Sequence, residues 1–150
     1  MRKVTLFAVV VAMAVAAVAF AQAKPDFSGT WALDASKSTR PGGGGGGRGP
    51  GGAGPMTIKH TATEFAVTRG ENTTTYKLDG TPTEITGGRG GAAKATAKVD
   101  GDKVVIKTVR ETPNGPMETT ATYSLSADGK ELTVVNASQR GEFKMVYTKQ

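Results

Sequence analysis

The stretch "FSGTWALDASKS", residues 27–38, sets the only tryptophan of the 150-residue chain two positions after a glycine. It stands just behind an apolar N-terminus. A large aromatic at the start of a folded part is an anchor, because its burial removes more apolar surface from water than almost any other side chain. A glycine beside it allows a close approach of backbone to backbone. The residues on either side of this stretch decide what the anchor belongs to.

Upstream, Arg2 and Lys3 precede an almost wholly apolar run from Val4 to Phe20, and Ala21-Gln22-Ala23 forms a small-x-small site. This pattern predicts a secretory signal peptide over residues 1–23, helical in its apolar run, with cleavage after Ala23 and an exported mature chain, periplasmic or secreted. A membrane anchor is the alternative, although the run is short for a span. The folded domain is then expected over 24–150. Two of the 19 basic residues lie in the leader, so 17 remain against 13 acids, a balance of +4. That is mildly basic and is no nucleic-acid signature, so no nucleic-acid partner is expected. There is no cysteine, so an exported fold must rest on burial and backbone pairing without disulfides.

Downstream, "PGGGGGGRGPGGAGP" over 41–55 has no apolar group to offset the entropy of ordering glycine, and is expected to be a disordered loop. "GGRGG" over 87–91 is a smaller relative. Beyond Pro55 the chain alternates. Ala93, Ala95, Ala97 and Val99 share one parity against Lys94, Thr96 and Lys98. Asp100-Gly101 marks a tight hairpin, after which Val104 and Ile106 resume the pattern. Ala121, Tyr123 and Leu125 lie on one face, "SADGK" turns the chain, and Leu132 and Val134 follow. Phe143, Met145 and Tyr147 alternate at the end. "MTIKHTATEFAVTRGENTTTYKLDG" reads as three short strands with turns near Ala62 and Gly70.

No helical period follows the leader. The pattern predicts an all-β protein, an antiparallel up-and-down meander of eight or nine strands closed into a barrel, which removes exposed edges and is expected to stay monomeric. A flat sheet or sandwich would show the same alternation. The predicted inward set is Trp31, Leu33, Ile58, Phe65, Val67, Tyr76, Leu78, Val99, Ile106, Tyr123, Leu125, Phe143, Met145 and Tyr147.

The opening stretch resembles the first strand of the calycins. Lipocalins carry G-x-W there, and intracellular fatty-acid-binding proteins carry a near match to F-x-G-T-W-x-L followed by a Ser-Lys pair, here Phe27, Gly29, Thr30, Trp31, Leu33, Ser36 and Lys37. The closing "EFKMVYTKQ" is similar to the last strand of fatty-acid-binding proteins. The resemblance implies a lipocalin-like barrel with Gly29 and Trp31 as its plug, and a basic group over Trp31 drawn from Arg140, Lys144 or Lys149. It implies a small hydrophobic or amphipathic ligand in the interior, with Phe65, Tyr76, Ile106, Tyr123, Phe143, Met145 and Tyr147 as lining residues. Two departures stand out. The Arg-x-Tyr that holds a fatty-acid carboxylate reads Met145-Val146-Tyr147, so uncharged ligands are expected, or an anionic head left at the mouth near Arg89 or Lys94. The glycine run stands where that family inserts a helical lid.

Catalytic chemistry finds little material. His60 is the only histidine, and an alternating strand makes it a packed or surface group rather than a ligand. No metal and no cofactor is expected. There is no G-x-S-x-G and no G-K-[ST], and acids such as Asp100, Asp102, Asp128 and Glu131 fall at turns. A binding module without enzymatic activity is the expectation. A structural or interaction module of the cell envelope with a filled core is the alternative. The alanine row over 93–97 leaves open either a cavity or a wall that collapses inward.

Overall fold

The computed structural model describes residues 24–39, 54–86 and 92–150. The predicted leader and its cleavage site after Ala23, most of the glycine-rich segment and the "GGRGG" run lie outside the described residues. Among the described residues no helix is long and apolar enough to cross a membrane.

The described residues form ten antiparallel strands: β1 (Gly29–Thr39), β2 (Met56–His60), β3 (Glu64–Arg69), β4 (Asn72–Lys77), β5 (Thr83–Ile85), β6 (Ala93–Asp100), β7 (Lys103–Thr112), β8 (Gly115–Leu125), β9 (Glu131–Ser138) and β10 (Gly141–Lys149). Their order in the sheet is β4-β3-β2-β1-β10-β9-β8-β7-β6-β5. Sequence neighbours are therefore spatial neighbours, and the one long-range join is β1 against β10, with Trp31 opposite Lys149 and Leu33 opposite Tyr147. The sheet curls until β4 lies against β5 and β6. An isolated bridge between Asp79 and Lys98 spans the seam. The result is a nearly closed barrel, open in its hydrogen-bond ladder only between β4 and β5.

The expected meander is present, with ten strands in place of eight or nine. The addition is β5, three residues long, which carries too few positions to show an alternation. The turns near Ala62 and Gly70 fall where the sequence put them. In the β6–β7 hairpin the closing pair is Asp100 and Lys103. Gly101 takes the first loop position with φ 62°, a conformation that costs a residue with a Cβ.

The inward parity holds for the whole predicted set with one correction. Val99 is 43% exposed. It stands opposite Val104, in the last pair but one before the turn, where no further layer covers it. Phe27 and Met56, which precede or begin their strands, join the core although the predicted inward set omits them. The alanine row is buried within it.

In β1 the "DASKS" stretch forms a register shift between Asp34 and Thr39. The Asp34 carboxylate accepts from the Ser36 and Lys37 amides at 3.0 and 3.3 Å. The Ser38 hydroxyl donates to the Asp34 carbonyl at 2.7 Å and accepts from the Val146 amide at 3.0 Å. Lys37 turns outward to pair with Glu131. The Ser-Lys pair thus shapes an edge of the barrel and lies outside its lumen.

Candidate functional site: two halves of one lumen

The hairpin turns sort the barrel into two ends. One end holds the entry to β1, the β2–β3, β6–β7 and β8–β9 turns, and the C-terminus. The far end holds the β3–β4, β7–β8 and β9–β10 turns.

The first end is sealed from the sequence upward. Trp31 is fully buried, and its indole Nε1 donates to the Phe27 carbonyl at 3.0 Å. Lys149 lays its ammonium 5.4 Å from the Trp31 ring centroid, an attraction between a cation and the negative face of the ring. This is the basic group the sequence left among three candidates, and the Trp31–Lys149 register decides it. Gly29 makes room. Its φ is 136°, and a Cβ there would stand 2.9 Å from Lys149 Cε. Below the plug runs a chain of edge-to-face rings. Phe27 meets Phe65 at 5.8 Å, His60 lies 5.5 Å from both, and Phe65 meets Tyr123 at 5.1 Å. His60 is therefore a packing ring, and its backbone amide donates to Ser28 Oγ at 3.0 Å. Phe65 belongs to β3 and Tyr123 to β8, so this last contact crosses the lumen.

Of the residues expected to line a ligand, Phe65, Ile106, Tyr123, Met145 and Tyr147 are buried in this packed core. The Tyr147 hydroxyl donates to Met145 Sδ at 3.5 Å, so this pair is turned on itself. Tyr76 and Phe143 are half-buried and pack against the core from its margin. Burial pushes the Tyr76 phenol up to about 12, and burial raises Tyr123 likewise, partly offset by Arg69.

The far half is lined differently. Along β7 the inward positions run Val104, Ile106, Thr108, Arg110; along β9 they run Leu132, Val134, Asn136, Ser138; along β3 they run Phe65, Val67, Arg69. In each case the polar residues come last in the direction of the far end, and they are half-buried where their apolar predecessors are buried. Arg69 donates to the Tyr123 hydroxyl across the lumen and reaches Met56 Sδ at 3.4 Å. Arg110 stands opposite Ala93 and Met117. Lys94, expected near an anionic head, lies exposed on the outer face, and Arg89 falls outside the described residues. Arg69, Arg110 and Asn136 were missed in the sequence, although their parity with Val67, Ile106 and Val134 marks them.

Among the described residues no three histidine, cysteine or acidic side chains gather as a metal site. The seam between β4 and β5 holds a cleft of about 140 Å³ lined by Thr73, Thr74, Thr75, Thr83, Glu84, Ile85 and Thr86.

A ten-stranded meander barrel closed by its first and last strands, with a glycine-tryptophan plug under a lysine, is the architecture that the resemblance to the calycins implies. No family model matches the chain, and no curated protein matches it. Solved structures share the fold. One is a mutant of the fluorescent protein UnaG, at 17% identity and a TM-score of 0.59, covering 83% of this chain and 96% of that one. Another is secretory abundant heat soluble protein 4 from Ramazzottius varieornatus, at 19% and 0.58, covering 85% and 96%. A third is the REP1-NXSQ fatty acid transporter, at 13% and 0.55, covering 83% and 96%.

Proposed function

We propose that the protein is an exported binding module for a small hydrophobic or amphipathic ligand, which it takes into the far half of its lumen without transforming it. The observation that carries this reading is the division of the interior. One half is packed as a core, and the other leaves inward side chains half-buried, among them Phe143, Ala121, Thr108 and Arg110. A barrel filled only for stability would continue its apolar layers to both ends. The shared fold with a fatty acid transporter supports the same reading, and the leader supports export. Native mass spectrometry of the protein purified from its own source tests it. A small bound mass that is released on denaturation is expected, and a bare chain from material never exposed to organic solvent would overturn it.

A second reading, a structural module with a filled core, draws on the Phe65–Tyr123 contact across the lumen. It also draws on the modest size of the seam cleft, since drug-sized ligands occupy roughly 300–1,000 Å³.

A further inference from the structure

The β7–β8 hairpin outreaches the strands on either side of it. β6 begins at Ala93, opposite Arg110, so Glu111 and Thr112 have no β6 partner among the described residues. The last β8–β9 pair towards the far end is Thr119 with Ser138, so residues 115–118 have no β9 partner there. At the tip Glu111 pairs with Pro116 and Thr112 with Gly115, around a loop of Pro113 and Asn114. The tip is thus a two-stranded ribbon. Such a ribbon is marginally stable in water by itself, so its end pair parts at little cost. The Thr112 hydroxyl donates to the Gly115 carbonyl at 2.6 Å, a bond that leaves the Gly115 amide nitrogen unoccupied.

Asn114 is exposed in this loop, and Gly115 follows it. The carboxamide of an asparagine is open to attack by the main-chain nitrogen of the next residue, which closes a succinimide ring. Glycine is the least hindered residue in that next position, because it has no Cβ. A Cβ built at Gly115 would meet nothing within 4 Å, so the ring has open space around it. The other two asparagines lack these conditions. Asn72 is followed by the branched Thr73. Asn136 lies between Ala121 and Phe143 inside two ladders, with its amide nitrogen buried. Asp79, Asp100 and Asp128 also precede glycines, but a carboxylate repels an anionic nucleophile. Hydrogen bonds from Thr81 and from Ser126 hold the Asp79 and Asp128 carboxyls below the usual carboxylate range.

We propose that Asn114 is a site of spontaneous hydrolytic modification, at which the far rim of the barrel acquires a carboxylate as the protein ages. The Gly115 nitrogen loses its proton to solvent base and forms a bond to Asn114 Cγ. The Cγ–Nδ2 bond breaks, and the amide nitrogen takes up a proton and leaves as ammonia. Water then opens the succinimide at either carbonyl, which leaves aspartate or isoaspartate. The new charge stands on a ribbon that already carries Glu111 and Glu118. The isoaspartyl form also routes the main chain through an additional carbon, inside the loop that closes the Thr112–Gly115 pair. Both changes favour parting of the strands at the tip. None of this depends on what the lumen binds.

The test is peptide mapping of the full chain after incubation at neutral and at mildly alkaline pH, native and in guanidinium chloride. Trypsin places the three asparagines on separate peptides, 70–77, 111–130 and 131–140. In the native protein the 111–130 peptide is expected to gain the mass of amide-to-acid exchange at least tenfold faster than the other two. Isoaspartate should exceed aspartate by electron-transfer fragmentation, and the rate should rise with pH. The native rate at Asn114 should lie within tenfold of the rate in guanidinium chloride. Isomerisation at Asp128, on the same peptide, leaves the mass unchanged and does not interfere. Asn114→Gln should abolish the gain with melting unchanged, since the position is an exposed loop residue. Equal native rates at the three asparagines, a gain that persists in Asn114→Gln, or a native rate more than tenfold below the unfolded one overturns the proposal.

Discussion

The two ends of this barrel are made from the same ten strands and obey the same alternation, yet one behaves as a core and the other as a vestibule. At the Trp31 end three polar groups find partners. The indole N–H has the Phe27 carbonyl, the Lys149 ammonium has the Trp31 face, and Ser28 exchanges two hydrogen bonds with the His60 backbone. At the far end inward polar groups are retained, and Arg110 Nε and Asn136 Nδ2 have no hydrogen-bond partner among the described residues. Stability is concentrated where the partners are found, so the two ends should answer mutation with different magnitudes and even opposite signs.

The largest effect is expected from Trp31→Ala. Deleting a fully buried large aromatic costs about 3–5 kcal/mol, to be read from urea unfolding followed by circular dichroism. A near-neutral result would break the comparison at its foundation, because it would mean that the plug is not where the stability lies. Next comes Gly29→Val. The backbone there holds φ 136° and faces Lys149 Cε, and forcing a branched residue into such a conformation costs about 1–3 kcal/mol. The variant should also shift Trp31 emission to longer wavelength as Lys149 is displaced and water reaches the ring.

At the far end the sign should reverse. Asn136→Leu removes a buried donor that has no partner among the described residues and replaces it with an apolar group of similar volume. Relief of that desolvation should raise stability by about 1 kcal/mol, measured in the same unfolding assay. A loss of similar size would show that Asn136 is as well matched as the groups around Trp31.

The smallest effect is absent at neutral pH. Tyr76 holds its proton to about pH 12, against 10.0 for an unburied phenol, and Tyr123 is shifted in the same direction. The unfolded chain ionises first, so this contribution to stability is complete below pH 10 and is lost as the pH rises through 12. Denaturant midpoints between pH 9 and 11 should fall, and Tyr76→Phe should flatten part of that fall.

The fold was legible because its signals are local. Period-two alternation and glycine-bearing turns lie within ten residues of each other, so a meander can be read hairpin by hairpin. Thr83–Ile85 escaped because three residues hold no period, and Phe27 and Met56 escaped because they enter the core outside or at the margin of a strand. The choice of Lys149 over Arg140 and Lys144 needed the β1–β10 register, which joins residues more than a hundred positions apart. The site was less legible for a physical reason. An arginine in a strand is by default a surface residue, so Arg69 and Arg110 invite an outward assignment even though Val67 and Ile106 fix their parity inward. Sequence supplies the side of the sheet, whereas the layer of the barrel, and hence whether a cation meets water or another side chain, depends on strand stagger.

The join between β1 and β10 also has a consequence in time. Most of the other ladders are hairpins closed by short turns, which form in microseconds. The pairing of Trp31 with Lys149 and of Leu33 with Tyr147 must wait until the last strand of the chain exists. Contacts of such long sequence separation slow folding, because the entropy of closing the loop is lost before the contact returns anything. On the proposed export route, a chain emerging N-terminus first would carry its tryptophan without its Lys149 partner until its final residues cleared.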